Sequence, residues 1–188
     1  MPRARAFILL AAASLLGACA AVPPAAPPRA EAIALDPAFA IEGRLSARRG
    51  TDAVAANFLW THEPGADTIA LSSPLGQMLA KLSGTTSGGA RIERVDGTVA
   101  EAADWESLTL RTLAVPLPVT GLAWWIRGVP HPLAAHAMEP DGAGRPAVLR
   151  QDGWEIVYAY ADDAARLPSR VRLTWPEVEV RIAIDRWQ

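Results

Sequence analysis

Three histidines, one cysteine and two adjacent aspartates are the side chains of this sequence best suited to chemistry near neutral pH. His62, His131 and His136 have the ring nitrogens to hold a metal or carry a proton. The last two stand five apart in a proline-flanked stretch, which is not a helical zinc spacing, and no carboxylate completes a ligand pattern beside them. Surface or loop histidines are expected at all three positions. Asp162-Asp163 offers two carboxylates for acid and base roles, yet neighbours between two strands ordinarily form a solvated turn. The sequence has neither a serine elbow between strand and helix nor a glycine-rich phosphate loop. No catalytic constellation, metal or cofactor is therefore predicted, and the chain does not read as an enzyme. Cys19 is the only cysteine, so a disulfide within the chain is excluded and its thiol needs another explanation.

That explanation lies in what precedes it. MPRARAFILLAAASLLGACA begins with basic residues, continues through an apolar core and ends in small residues, which is the grammar of an export signal. The uncharged run from Ala6 to Ala18 has 13 residues, and a spanning helix needs about 20. Leu16-Gly17-Ala18-Cys19 resembles the bacterial lipobox. The resemblance implies that residues 1–18 are a lipoprotein signal peptide and that Cys19 carries a thioether-linked diacylglycerol and an acylated amino group. The competing reading is a chance cysteine beside an ordinary signal-peptidase site. Two or more acyl chains anchor stably, at about 0.8 kcal/mol per buried methylene. Ala20, where an aspartate would favour retention in the inner membrane, implies the outer membrane. Cleavage would remove Arg3 and Arg5 and leave a net charge of about −4, which argues against nucleic acid and against an electrostatic grip on anionic lipid.

The elements that would position any site follow from periodicity. Residues 19–37 form a Pro/Ala-rich tether with no apolar period, and residues 38–188 are long enough for one domain with a sizeable core. Phe39, Ile41, Gly43, Leu45 and Ala47 share one face with Glu42, Arg44, Ser46 and Arg48 on the other, and the same period of two groups Val54, Ala56, Phe58 and Trp60, then Ile69 and Leu71, then Met78, Ala80 and Leu82. Each is a half-buried strand. Ile92 and Val95 lead to an Asp96-Gly97 hairpin signal. Asp104 to Val115 and Val119 to Gly128 change to three- and four-residue spacing, so two short helices separated by Pro116 and Pro118 are predicted. A Gly/Pro-rich loop over residues 131–146 precedes strands around Trp154 to Tyr160, Val171 to Trp175 and Val178 to Asp185.

Many short strands and one helical insertion predict a mainly β domain, a single curved antiparallel sheet with one apolar face. Two short helices would leave part of so wide a face uncovered, as a hollow suited to apolar ligands. Phe58, Trp60, Ile69, Leu71, Trp125 and Trp154 are the candidate lining, and aromatic walls serve core packing and acyl binding equally. The turn in SSPLGQML (residues 72–79) holds a leucine where Gly, Pro, Asn, Asp or Ser is usual.

Six blocks in order, GRLSAR (43–48), NFLW (57–60), SSPLGQ (72–77), PVTGLAWWIRGVP (118–130), QDGWEIVY (151–158) and RIAIDRW (181–187), resemble the LolB family of outer-membrane lipoprotein receptors, from about residue 39 to the end. The resemblance implies an open, incomplete antiparallel β-barrel with helices over its mouth. It further implies a lipid-anchored, monomeric receptor facing the periplasm, which accepts lipoprotein cargo from the carrier LolA and places it in outer-membrane lipid. In that family the leucine of the Pro-Leu-Gly turn touches the bilayer, and Pro74, Leu75 and Gly76 occupy the matching positions. The alternative is a structural or assembly lipoprotein whose apolar sheet face docks a protein. The Ala-rich helical insertion and residues 131–146 depart from the family pattern.

Overall fold

Alternating apolar residues become strands throughout the computed structural model, which describes residues 37–85 and 88–188. The signal peptide, Cys19 and nearly all of the tether lie outside these residues. In chain order the elements are β1 (Phe39–Arg49), β2 (Asp52–Glu63), β3 (Ala66–Ser72), β4 (Met78–Thr85), β5 (Gly89–Arg94), β6 (Val99–Ala102), α1 (Trp105–Leu113), α2 (Val119–Trp125), β7 (His136–Pro140), β8 (Pro146–Gln151), β9 (Trp154–Ala159), β10 (Arg170–Trp175) and β11 (Val178–Trp187). The eleven strands form one sheet in the order β6-β5-β4-β3-β2-β1-β11-β10-β9-β8-β7. Two meanders, one on either side of the helices in sequence, meet where β1 pairs with β11. Since β6 and β7 do not pair, the barrel stays open.

Residues 131–146, expected to be loop, contain β7. All five of its residues are exposed, so there was no alternation to read. Pro140 is tolerated because β7 is an edge strand, and Pro146 because it is the first residue of β8, positions where a missing N–H costs no ladder bond. At the β1–β11 seam the register shifts between Glu42 and Gly43. A Cβ on Gly43 would lie 2.1 Å from the Ala183 carbonyl oxygen, so only glycine admits this close approach.

The helices sit on the apolar face. Asp104 caps α1 by accepting from the Ser107 N–H at 2.6 Å, and Ala114, at φ 62°, ends it in a left-handed turn. Pro116 and Pro118 then prevent continuation. Thr109 joins the two segments: its hydroxyl donates to the Trp105 carbonyl at 2.8 Å and accepts from the Leu117 N–H at 2.8 Å. The α2 helix has seven residues and no side-chain cap, so packing rather than propensity holds it. Trp105, Leu108, Val115, Leu122, Trp124, Trp125 and Ile126 are all buried. These large side chains cover the sheet more fully than the count of two helices implied.

Candidate functional site

Strands β2 and β3 build the wall under the helices. Their pairing sets Phe58 opposite Leu71 and Trp60 opposite Ile69, so these four predicted residues share one face. Together with Leu45, Leu82, Val180 and Ile182 they surround a hollow closed by Leu113, Leu117, Val119 and Leu122, with a free volume of ≈ 40 Å³. That is room for a few water molecules and not for an acyl chain. Thr109 of α1, the one polar residue lining the hollow, spends its hydroxyl on the two bonds already described. The site is thus lined by apolar side chains and, with the helices in this position, too narrow for an acyl chain.

Trp125 and Trp154 do not join it. They line a separate open groove of ≈ 600 Å³ between the helices and the adjoining hairpin ends, where Trp154 also stacks on Trp175 at 6.0 Å. Glu106 of α1 faces this groove. Burial raises its carboxyl above the usual carboxylate range, and the charge of Asp104 adds to the shift.

One buried amide fastens α2 and the segment after it to the sheet. Gln151, at the end of β8, is 2% exposed. Its Oε1 accepts from Trp125 Nε1 at 2.7 Å and from the His131 N–H at 2.7 Å, while its Nε2 donates to the carbonyls of His131 at 2.7 Å and Ala134 at 2.9 Å. Periodicity gave no hint of this clamp, since a lone polar residue at a strand end reads as part of a turn.

His62 corrects an expectation. It is 2% exposed, because it continues the Phe58-Trp60 face of β2 by one more period. Its Nδ1 lies 2.8 Å from Asp67 Oδ1, the oxygen that also accepts from Trp60 Nε1 at 2.6 Å. Phe39 stacks on the imidazole at 4.9 Å. The spacing from Trp60 was the signal that could have found it. Asp162 and Asp163 are exposed, and Asp162 Oδ1 accepts from the Ala164 and Ala165 N–H groups as a solvated turn does. No cluster with metal-ligand geometry occurs among the described residues.

The Pro-Leu-Gly turn is braced by hydrogen bonds and displays its leucine. The Ser73 carbonyl accepts from the Gly76 N–H at 2.8 Å and the Ser73 N–H donates to the Gln77 carbonyl at 2.8 Å, while Asn57 Nδ2 braces the Ser73 carbonyl at 3.1 Å. Pro74 fixes the second position, and Gly76, at φ +83°, supplies the left-handed residue that rejoins the strand. Leu75 between them is 90% exposed. It does not fold back onto the core.

An open antiparallel half-barrel with a helical lid over an apolar wall, and a leucine held out on a braced turn, is the class of protein these features define. Residues 37–187 match the family model described as outer membrane lipoprotein LolB. Relatives named outer-membrane lipoprotein LolB from Thiobacillus denitrificans and Chromobacterium violaceum are each 36% identical to this chain. Both alignments cover 98% of it, and 97% and 99% of the relatives respectively. The chain belongs to the LolB family of outer-membrane lipoproteins. A DUF1329 family protein from Desulfovibrio piger shares the fold, at a TM-score of 0.52 and 8% identity over 85% of this chain and 88% of that one.

Proposed function

We infer that this chain serves outer-membrane lipoprotein localisation as a receptor. It takes the acyl chains of lipoprotein cargo from a periplasmic carrier of the LolA kind, shelters them beneath α1 and α2, and releases them into the outer membrane. In this reading it works as a monomer without catalysis, held through acylated Cys19 and facing the periplasm.

The observation that supports the reading most is the wholly apolar wall under a lid of two short helices. Because the closed hollow is only ≈ 40 Å³, the lid must move for cargo to enter, and α2, short and without a side-chain cap, stays shut through its packing and the Gln151 clamp. Opening costs the contacts of Leu117, Val119 and Leu122 with the wall. An incoming chain restores apolar contact at about 0.8 kcal/mol per buried methylene, so the exchange comes close to balancing.

Leu75→Glu tests the release step. The side chain is exposed, so folding and cargo capture are expected to persist while transfer from the receptor into liposomes stops. Unchanged delivery would remove Leu75 from the mechanism. The smallness of the closed hollow favours the other reading, a structural lipoprotein that docks a protein. Native mass spectrometry decides between them: acylated ligand bound to a monomer supports the receptor, and a protein partner without acylated ligand refutes it.

A further inference from the structure

Leu75 does not stand alone. The hairpin ends on its side of the sheet are β1–β2, β3–β4, β5–β6, β8–β9 and β10–β11, as the antiparallel registers require. At the β3–β6 corner of this end, Met78 is 52% exposed, Leu79 42%, Val95 75% and Val99 43%. The alternation with Ala80 and Leu82 predicts an inward Met78. The register shift between Leu71 and Ser72 displaces the start of β4, and the Val95 N–H bonds the Leu79 carbonyl at 3.2 Å, so these two outward side chains are cross-strand neighbours. The adjacent β1–β2 hairpin is polar instead, carrying Arg48, Arg49, Thr51 and Asp52. At the opposite end the turns contain Glu63-Pro64-Gly65, Asp141 to Arg145 and Asp162-Asp163. Single apolar residues are also exposed elsewhere, Trp175 at the β10–β11 hairpin and Leu167 in the β9–β10 connection, but among the described hairpin ends only this corner gathers several of them, around the leucine.

We propose that this corner, Leu75 with Met78, Leu79, Val95 and Val99, is a bilayer-contacting surface that seats the Leu75 end of the barrel on phospholipid. The proposal rests on the receptor reading and extends it from one residue to a surface. A protein partner is the other conceivable occupant, and chain geometry favours lipid. The first strand starts at the far end of the sheet, so the chain leaves the domain there toward Cys19. The 18 residues from Cys19 to Asp36 reach at most about 60 Å when extended. The 12-residue β2 is about 40 Å long. A chain anchored at Cys19 therefore has the length to double back and bring this corner onto the same bilayer. The corner's charges, Lys81, Glu93, Arg94 and Asp96, include both signs equally, which matches a surface that does not select anionic headgroups.

The test places a photoreactive amino acid at position 75, 79 or 95 of the full chain in its own membrane, with positions 143 and 172 as controls. Lipid adducts at 75, 79 and 95, and none at 143 or 172, support the surface. Lipid at 75 alone overturns it while leaving the Leu75 reading intact, and protein adducts at 79 and 95 overturn it in favour of a partner. Absence of lipid at all three overturns both. In parallel, Leu79→Gln with Val95→Gln is expected to lower delivery to vesicles about tenfold, with cargo capture and thermal midpoint unchanged. Leu79→Ile with Val95→Leu should restore it. Full delivery by the glutamine pair would refute the proposal.

Discussion

Replacing Gln151 by leucine should unlatch the lid without dismantling the sheet. The amide makes four hydrogen bonds, and leucine makes none while leaving the buried Trp125 N–H without its acceptor. A typical hydrogen bond contributes about 1 kcal/mol net, and a buried group left unsatisfied costs about 1–3 kcal/mol. Water reaching the His131 and Ala134 carbonyls offsets part of the loss, so a destabilisation of about 3 kcal/mol is expected. For a domain of this size that lowers the thermal midpoint by about 6–12 °C. If the loss falls on local opening, the open population grows by about two orders of magnitude. Hydrogen exchange reads this directly: the α2 amides that bond within the helix, such as Leu122 to Pro118 and Ile126 to Leu122, should exchange faster. Those of β10 and β11 should keep their protection relative to global stability. Uptake of a fluorescent fatty acid should accelerate in the same variant. Equal loosening of helix and sheet would refute the clamp, and faster opening without faster uptake would refute entry beneath α2.

Gly43→Ala should be severely destabilising, by about 3 kcal/mol or more, because its methyl would overlap the Ala183 carbonyl at the β1–β11 seam; a chemical melt against wild type measures it. Tyr158→Phe should stabilise by about 1 kcal/mol, since the buried hydroxyl has no hydrogen-bond partner among the described residues and burial pushes its pKa well above the tyrosine range; a lowered midpoint would show a bond to buried water. Glu106→Gln should raise the thermal midpoint at neutral pH and leave it unchanged in acid. The folded-state pKa of Glu106 is raised, so its stabilising proton is fully retained below the unfolded value and lost as pH rises through the folded one. Glutamine removes that pH dependence, and a midpoint difference that persists in acid would refute burial as its cause.

Much of the sheet was legible because alternation directly encodes which face a residue takes. Phe39 to Ala47 and Val178 to Ile184 needed only period two, and the helices needed only the change to wider spacing and two prolines. What escaped has physical reasons. Strand β7, exposed at an edge, has no buried face to impose a pattern. Met78 follows the alternation of Ala80 and Leu82, but the register shift between Leu71 and Ser72 turns it outward, and Val95, three residues after Ile92, lies past the end of β5, where alternation no longer assigns a face. Trp125 and Trp154 were placed beside Phe58 and Trp60 because all four are large and inward. Which of two neighbouring spaces each one lines depends on how α2 crosses the sheet, a distance no local spacing encodes. His62 was misjudged by residue type, although its position two residues after Trp60 predicted burial.

The filled hollow changes what the helices must be doing. A preformed empty cavity would cost stability at every moment, since lining atoms facing a void forfeit their dispersion contacts. Here Leu117, Val119 and Leu122 occupy the space and act as a resident apolar ligand belonging to the chain itself. In the proposed receptor reading, cargo would compete with the lid, not with water. The net affinity is then a difference between two similar apolar contacts, smaller than full burial of the same acyl chain in an empty cavity would give. Modest affinity suits a receptor that must surrender what it binds: transfer onward requires only that the bilayer offer more apolar contact than the wall, which an unbroken hydrocarbon phase does at about 0.8 kcal/mol per methylene. On this argument the weak points of the lid, a seven-residue helix and one glutamine clamp, are matched to the task, and a variant with a tighter lid should both capture and release less.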